Sequence, residues 1–135
     1  MPIPSALQVT VAYLNTVEAV QDANARVLSG TPTKRGDPWL RVTLLADPST
    51  DGGEADHLIA AFLQIDVFAG ESNNTALAVD NLSIAVREAL RVMKHAEHEG
   101  AVVTGAESSR THMPETNEEP AMERFQISAT IWLHG

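Results

Sequence analysis

The chain has 135 residues, with 9 basic and 18 acidic side chains, a formal net charge of −9 and no cysteine. This is the length of one domain, so we expect residues 1–135 to form a single domain that buries its core without staples. The absence of cysteine excludes disulfides, thiolate nucleophiles and cysteine metal sites. Residues 1–56, 57–100 and 101–135 each carry a net charge of −3, so no basic segment predicts tight binding of nucleic acid.

The first residues, Met1–Ser5, lack the basic start and the apolar run of a signal peptide. No window of the sequence approaches the ~18 apolar residues that a membrane-spanning helix needs. We therefore expect a soluble protein that is used without export and has no membrane partner.

Apolar residues at helical spacing predict a first helix over Ser5–Val20, with Ser5 as its N-cap. The following stretch, Asp22–Leu28, is compatible either with more helix or with an edge strand. Gly30–Pro38 has two prolines and two glycines in nine residues, which predicts a loop. Trp39–Ala46 then predicts a strand that carries Leu40, Val42 and Leu44 on one side.

The most hydrophobic segment is His57–Ala69, which follows the polar, glycine-containing connection Asp47–Asp56. Both faces of a strand formed by this segment would be mostly apolar. Such a strand is usually central in a sheet or lies in an interface.

A sustained apolar stripe predicts a second, long helix from about Asn74 to Glu97, with cap candidates in 71–75 and a stop at Gly100. A strand over Ala101–Glu107 and a long acidic loop over Ser108–Pro120 are expected next. The final strand, Met122–His134, alternates cleanly. Its apolar face is formed by Phe125, Ile127, Ala129, Ile131 and Leu133, and its other face by Arg124, Gln126, Ser128, Thr130, Trp132 and His134.

Together these elements predict an α+β fold, namely a mainly antiparallel four- to five-stranded sheet with one long helix across a face and a short N-terminal helix. The polar connections 47–56 and 108–120 exceed the usual length of a hairpin loop. Long loops without a core of their own are commonly ordered by partners. We therefore expect both of them at subunit contacts.

Two short motifs invite a metal-binding interpretation. Residues 47–52 (DPSTDG) begin like a calcium loop, but the twelfth position, where the bidentate glutamate is required, is Leu58. An ordinary solvated turn is the favoured interpretation. His95 and His98 lie three residues apart at the predicted end of the second helix, a spacing that can share a metal, yet the sequence indicates no third ligand.

Three further patterns are weak candidates for catalysis. Gly30–Gly36 has the wrong glycine-to-lysine spacing for a phosphate-binding loop. Ser109 and His112 have no orienting aspartate and no nucleophile elbow. The adjacent Glu118 and Glu119 would point apart in an extended segment and could not act as an acid/base pair. We predict no catalytic, cofactor-binding or metal site, and a protein that is not an enzyme.

The candidate functional residues are therefore interface residues. Trp39 and Trp132 lie at strand ends, where they either pack at the sheet margin or serve as aromatic anchors in an interface. Arg41, Arg87 and Arg91 are candidates for pairing with acidic residues of a neighbouring subunit. The full candidate interface set is Trp39, Arg41, Asp47, Asp51, Glu54, Asp56, Arg87, Arg91, Arg110, His112, Glu118, Glu119 and Trp132.

The order and lengths of these segments resemble those of the tail terminator (tail completion) proteins of long-tailed bacteriophages. The resemblance is carried by Pro38–Val42 (PWLRV) in the first long strand, by QIDVFA at 64–69 before the long helix, and by FQISATIWL at 125–133 after a long acidic, proline-containing loop. It covers nearly the whole chain, although its motifs are patterns rather than signatures.

The resemblance implies a virion protein that assembles as a homohexameric ring on the last ring of the tail tube. Such a ring stops polymerisation of the tube protein and offers its other face to the head–tail connector proteins. It would reach the virion from the host cytoplasm, and genomic DNA would pass through it without specific binding. The even acidity of the chain agrees with this, because negative charge keeps phosphate from adhering to the passage.

In addition to a cellular oligomeric scaffold unrelated to phage, two alternatives remain open from sequence. One is a head-completion, stopper or adaptor ring of the phage neck, which an extended loop that plugs the channel would favour. The other is a small α+β ligand-binding domain or enzyme. The second would need a pocket between the long helix and the sheet lined by His95, Glu97 or His98.

Overall fold

A computed structural model describes residues 5–30, 32, 36–46, 59–71, 74–98, 100–113 and 123–134. The side chains of Ala46 and Ile59 lie outside that description. The elements are α1 (Ala6–Thr16), α2 (Glu18–Asp22), β1 (Arg26–Leu28), β2 (Trp39–Ala46), β3 (Ile59–Phe68), α3 (Ala76–Arg91), β4 (Glu97–His98), β5 (Ala101–Met113) and β6 (Arg124–His134).

The strands form one six-stranded sheet in the order β1-β2-β3-β6-β5-β4. Only β1 and β2 run parallel, and every other neighbouring pair is antiparallel. The expected α+β class is therefore confirmed, but the strand count was too low. The two strands that sequence did not specify are the short edge strands β1 and β4, which have three and two residues.

The core lies between one face of the sheet and the helices. Strand alternation places Ile65 of β3 beside Val42 of β2 and Ile127 of β6, and all three are fully buried. Fully burying an aliphatic side chain of this size contributes about 1.5–3 kcal/mol. Tyr13 on α1 ties the two helices over this face together, because its hydroxyl donates to the carbonyl of Ala89 on α3 at 2.7 Å. Burial raises the pKa of this hydroxyl.

The first helix is shorter than predicted. Ser5 caps α1 as expected and forms a reciprocal capping box with Gln8. The helix ends at Thr16, and Val17 adopts an extended conformation before α2 begins. The Thr16 hydroxyl bonds to the carbonyl of Tyr13 at 2.6 Å, so side-chain bonding competes with the backbone pattern at this point. The ambiguous stretch after Asp22 contains the edge strand β1.

The long helix is also shorter than the predicted Asn74–Glu97. Thr75 is its cap and accepts a hydrogen bond from the backbone of Ala78. After Arg91 the chain leaves the helix, and His95 takes a positive φ of 77°. The backbone N–H of His95 then donates to the carbonyl of Val103 at 2.7 Å, so pairing with β5 ends the helix well before Gly100.

Residues 108–113, predicted to belong to a loop, extend β5. The strand pairs with β6 without interruption from Gly105 to Met113, which lies opposite Arg124. The side chains on one face of this segment are exposed to solvent and are therefore polar. For this reason its composition predicts a loop. The remainder of that predicted loop, 114–120, lies outside the described residues, as does the whole of the predicted connection 47–56.

The position of β3 agrees with its two-faced composition, since it lies between β2 and β6. Its described helix-facing side chains are buried, namely Ala61, Leu63, Ile65 and Val67. On the opposite sheet face, Phe62 is exposed whereas Asp66 and Phe68 are buried. That face is therefore open at one end and closed at the other.

One glycine is required by close packing. Gly70 has a φ of +92°, and a Cβ atom there would lie 2.5 Å from the carbonyl oxygen of Gly36 and 2.6 Å from the backbone of Asp37. Gly70 thereby lets the segment before β2 lie against the end of β3. Gly100 has a similar φ of +88° but no neighbour within 4 Å of the same position.

These two glycines provide a matched test of that contact. Gly100→Ala should cost about 1–2 kcal/mol, the strain of a left-handed conformation alone. Gly70→Ala should lower the free energy of unfolding by about 1–3 kcal/mol more than Gly100→Ala, because the new methyl group collides with backbone. Urea unfolding of the two variants measures the difference, and equal losses of unfolding free energy would contradict the packing described here.

Candidate subunit interface

The two long connections leave the sheet at opposite ends. Ala46 and Ile59 lie at the end of the sheet where β6 finishes, because Ile59 pairs with Leu133. Met113 and Arg124 lie opposite each other at the other end. The segment 47–58 carries four acidic residues and 114–122 carries three, with no lysine or arginine in either. The described strands therefore lead into one acidic segment at each end of the sheet.

Both lateral edges of the sheet are only partly covered. On one side, β1 pairs with Trp39, Leu40 and Arg41 and leaves the rest of β2 without a described neighbour. On the other side, β4 pairs with Ala101 and Val102 alone. The described residues thus leave an open edge on β2 from Val42 to Ala46 and on β5 from Gly105 to Met113.

A groove of about 630 Å³ lies between α3 and the open part of β5. Three arginines line it, namely Arg87 and Arg91 from α3 and Arg110 from β5, together with Glu88 and Glu107. Its lining therefore carries three positive and two negative side chains, in a chain with net charge −9. Ile84, which is 47% exposed, gives the groove an apolar wall.

The three arginines differ in how they are held. Arg91 donates to Glu88 at 2.9 Å, and this hydrogen bond is the main cause that lowers the pKa of the Glu88 carboxyl. Arg110 pairs with Asp80, donates to the Ser83 hydroxyl at 2.9 Å and lies 4.8 Å from the ring centre of Phe125. Arg87 is exposed and has no ion-pair partner among the described residues.

A second cluster of charges is buried on the opposite face of the sheet. Asp66 on β3 is 1% exposed and accepts from the Nε and Nη2 of Arg41 at 3.3 and 3.2 Å. Arg124 on β6 lies 3.6 Å from its other carboxylate oxygen, and the Gln64 amide donates to both oxygens. Beside them, the rings of Trp39 and Phe68 stack with centroids 3.9 Å apart. This cluster links three neighbouring strands within the subunit.

Exposed apolar side chains gather near the open edge of β2. Leu44 is 36% exposed, Leu45 is 57% exposed and Phe62 on the adjoining strand is 40% exposed. The ladder between β2 and β3 shifts register between Leu44 and Ala46, which turns this end of the strand. An open strand edge bordered by apolar side chains is a preferred site for pairing with another chain.

The structure separates those candidate interface residues that it describes into three groups. Trp39 and Arg41 belong to the buried cluster, so Trp39 takes the packing role that sequence left open and Arg41 pairs within its own subunit. Trp132 is half-buried opposite Gly105 on the open face. Arg87, Arg91 and Arg110 converge on the groove, with His112 further along β5. The acidic candidates Asp47, Asp51, Glu54, Asp56, Glu118 and Glu119 lie outside the described residues.

Several residues of these clusters were not identified as functional candidates from the sequence. Asp66 lies inside the most hydrophobic segment and Asp80 inside the long helix, and neither was a candidate from sequence. Glu123 pairs with His112 at 2.7 Å, while its backbone N–H donates to the Asn74 side chain. An acidic residue inside an otherwise apolar strand was the available signal for Asp66, because an unpaired buried carboxylate is costly.

The weak catalytic candidates are not brought together. His95 lies in the turn after α3 and His98 in β4, so their predicted position on the helix was wrong. Neither lines the groove between α3 and β5. Ser109 and His112 fall on opposite faces of β5. Within the described ranges, no three histidine or acidic side chains converge as metal ligands would.

Comparisons with known proteins add no family to this description. No protein-family model matches the chain, and no curated protein sequence matches it. Among the described residues, no helix has the length and apolar character to cross a membrane.

The burial of Asp66 predicts that its substitution lowers the free energy of unfolding. Asp66→Asn should lower the free energy of unfolding by about 3 kcal/mol, because it leaves two guanidinium groups facing a neutral amide. Urea denaturation followed by circular dichroism measures this loss. Glu88→Gln is the control, since it removes an ion pair whose two side chains are exposed, and it should leave the midpoint unchanged. Equal shifts for the two variants would show that burial of Asp66 does not matter.

Proposed function

We propose that this chain is a structural subunit of a long-tailed bacteriophage, which caps the tail tube as a ring of about six copies and joins the tail to the head–tail connector. The observation that carries the proposal is that the described strands lead into the two acidic segments at opposite ends of the sheet. A subunit placed between two different partners needs two separate contact surfaces, and we assign one of them to each end.

The α+β fold and the order of its main elements support the proposal. The segments that carry the resemblance to tail terminators correspond to β2, β3 and β6, which are adjacent in the sheet. PWLRV and QIDVFA together supply Arg41 and Asp66, and the segment before FQISATIWL supplies Arg124. The resembling motifs therefore include both aliphatic core positions and two members of the buried charge cluster.

Electrostatics favours an assembly that lets DNA pass rather than one that binds it. The connections are acidic, and the groove arginines Arg91 and Arg110 are paired with carboxylates within the subunit. Proteins that bind duplex DNA neutralise several phosphates with lysine and arginine. An acidic subunit surface keeps the passage from adhering to the genome.

Electron microscopy of phage particles that lack this protein tests the proposal. Tails of uncontrolled length that remain unattached to heads are the expected result, because nothing would stop the tube or join it. Normal tails on empty or leaking heads would instead indicate a head-completion or stopper ring. Particles of wild-type form and infectivity would reject both.

Charge-neutralising variants test whether the two ends have different partners. One variant carries Asp47→Asn, Asp51→Asn, Glu54→Gln and Asp56→Asn, and the other carries Glu115→Gln, Glu118→Gln and Glu119→Gln. We expect one variant to fail at the tail tube and the other at the connector, as seen by which part each still copurifies with. If both variants lost the same partner, the assignment of one partner to each end would be wrong.

A further inference from the structure

We infer that copies of this chain join side by side by strand addition, in which the open edge of β5 on one copy pairs with the open edge of β2 on the next. The inference deepens the proposed function, since a ring needs a lateral contact. It rests on the geometry of the two edges and can fail separately from the role in the phage.

The direction of the backbone groups on β5 follows from its described hydrogen bonds. Val103 donates to the carbonyl of Ala96 and accepts from the N–H of His95, so both of its backbone groups point away from β6. Val103 lies opposite Leu133 on β6. In an antiparallel ladder the same orientation recurs on β5 opposite every second residue of β6, which means opposite Ile131, Ala129, Ile127 and Phe125. The backbone groups that point outward are therefore those of Ala106, Ser108, Arg110 and His112.

The same argument applies to β2. The carbonyl of Pro38 accepts from the N–H of Arg26 on β1, so the backbone of Pro38 points away from β3. Alternation along β2 gives Val42 and Leu44 the same outward orientation, beyond the last residue that β1 covers. The two edges can thus exchange about four backbone hydrogen bonds, one donor and one acceptor from each of these residues.

Direction and side-chain orientation also match. The strand β2 runs antiparallel to β3, β3 to β6 and β6 to β5, so β5 and β2 of one subunit run in opposite directions. A second copy in the same orientation therefore offers β2 antiparallel to β5. On both edges, the residues whose backbone groups point outward carry their side chains on the helix-covered face. Pairing of the two edges therefore keeps the apolar faces of the two sheets on the same side.

Strand β1 selects the register. It already occupies the position beside Trp39–Arg41, so β5 of a neighbour cannot extend far past Val42. The register that avoids this collision pairs Val42 with His112 and Leu44 with Arg110. Leu44 of one copy then approaches the groove of the other, where Ile84 is exposed. Between these two pairs, Thr43 lies opposite Thr111.

The described open part of β5 lacks two common blocks against such pairing. Natural edge strands are often blocked by proline or by an outward lysine. Residues 105–113 contain neither, and the single cation, Arg110, turns onto Asp80 of α3. The occupant we assign is a second copy of this chain, because β2 supplies an edge that matches in direction, face and apolar border.

Engineered cysteines test the pairing cleanly, because the natural chain has no cysteine. In the double variant Thr43→Cys/Thr111→Cys, the two positions of one subunit are separated by three strand spacings, roughly 14 Å. A disulfide bridges Cα atoms about 4.4–6.8 Å apart, so any bond must form between copies. Oxidation of the concentrated protein should give a ladder of covalent multimers on a non-reducing gel.

Matched variants decide what the ladder means. Each single-cysteine variant can form dimers at most, and Thr43→Cys/Ser128→Cys, whose second cysteine lies on the central strand β6, should give no ladder. The inference is overturned if the Thr43/Thr111 pair gives only monomer at every concentration, or if the Ser128 control ladders equally. A ladder together with wild-type tails in the deletion phage would keep the strand pairing and reject the terminator role.

A proline substitution provides a second readout. In His112→Pro, placed in the double-cysteine background, the lost N–H points outward and belongs to the residue that pairs with Val42 of the neighbouring copy, so the protein should keep its circular dichroism spectrum and the ladder should disappear. Glu107→Pro removes an N–H directed at β6 and should lower the unfolding temperature instead. A folded His112→Pro protein that still forms the full ladder would overturn the inference.

Discussion

The register between β3 and β6 is the constraint on which the rest of the structure depends. It places Ile65 beside Ile127 and Ala61 beside Ile131 on the helix-covered face, while Asp66 and Arg124 meet on the other. A slip of one residue would exchange the two faces and bury charges under the helices. Because these strands are central, their register also determines which parts of β2 and β5 form the lateral edges.

The buried charge cluster and the apolar core act on the same strands from opposite faces. Apolar contacts favour compactness without a strong choice of geometry, whereas Asp66 is satisfied only when Arg41 and Arg124 arrive from the two neighbouring strands. We interpret the cluster as a device that specifies strand alignment at the closed end of the open face. At the other end of that face, Phe62 and Leu45 are exposed. The open face is therefore covered at one end of the sheet and exposed at the other.

Sequence predicted the parts of the fold that local pattern determines. The alternation of β6, the bounds of β2 and the N-cap at Ser5 depend on neighbouring residues and were confirmed. The end of α3, the length of β5 and the strands β1 and β4 depend on pairing between distant segments. His95 leaves the helix because Val103 accepts its N–H, and no pattern near His95 reveals this. For the same reason, the groove arginines were named as candidates but their convergence was not foreseen.

The open edges of β2 and β5, and the opposite ends of the sheet at which the acidic segments begin, support the proposal that this chain is one subunit of a larger assembly. The most direct measurement is electron cryomicroscopy of the assembled particle that contains this chain. Our account predicts about six copies in a closed ring, with 47–58 facing one neighbouring structure and 114–122 facing the other. A single copy per particle, or both connections turned toward the same neighbour, would contradict it.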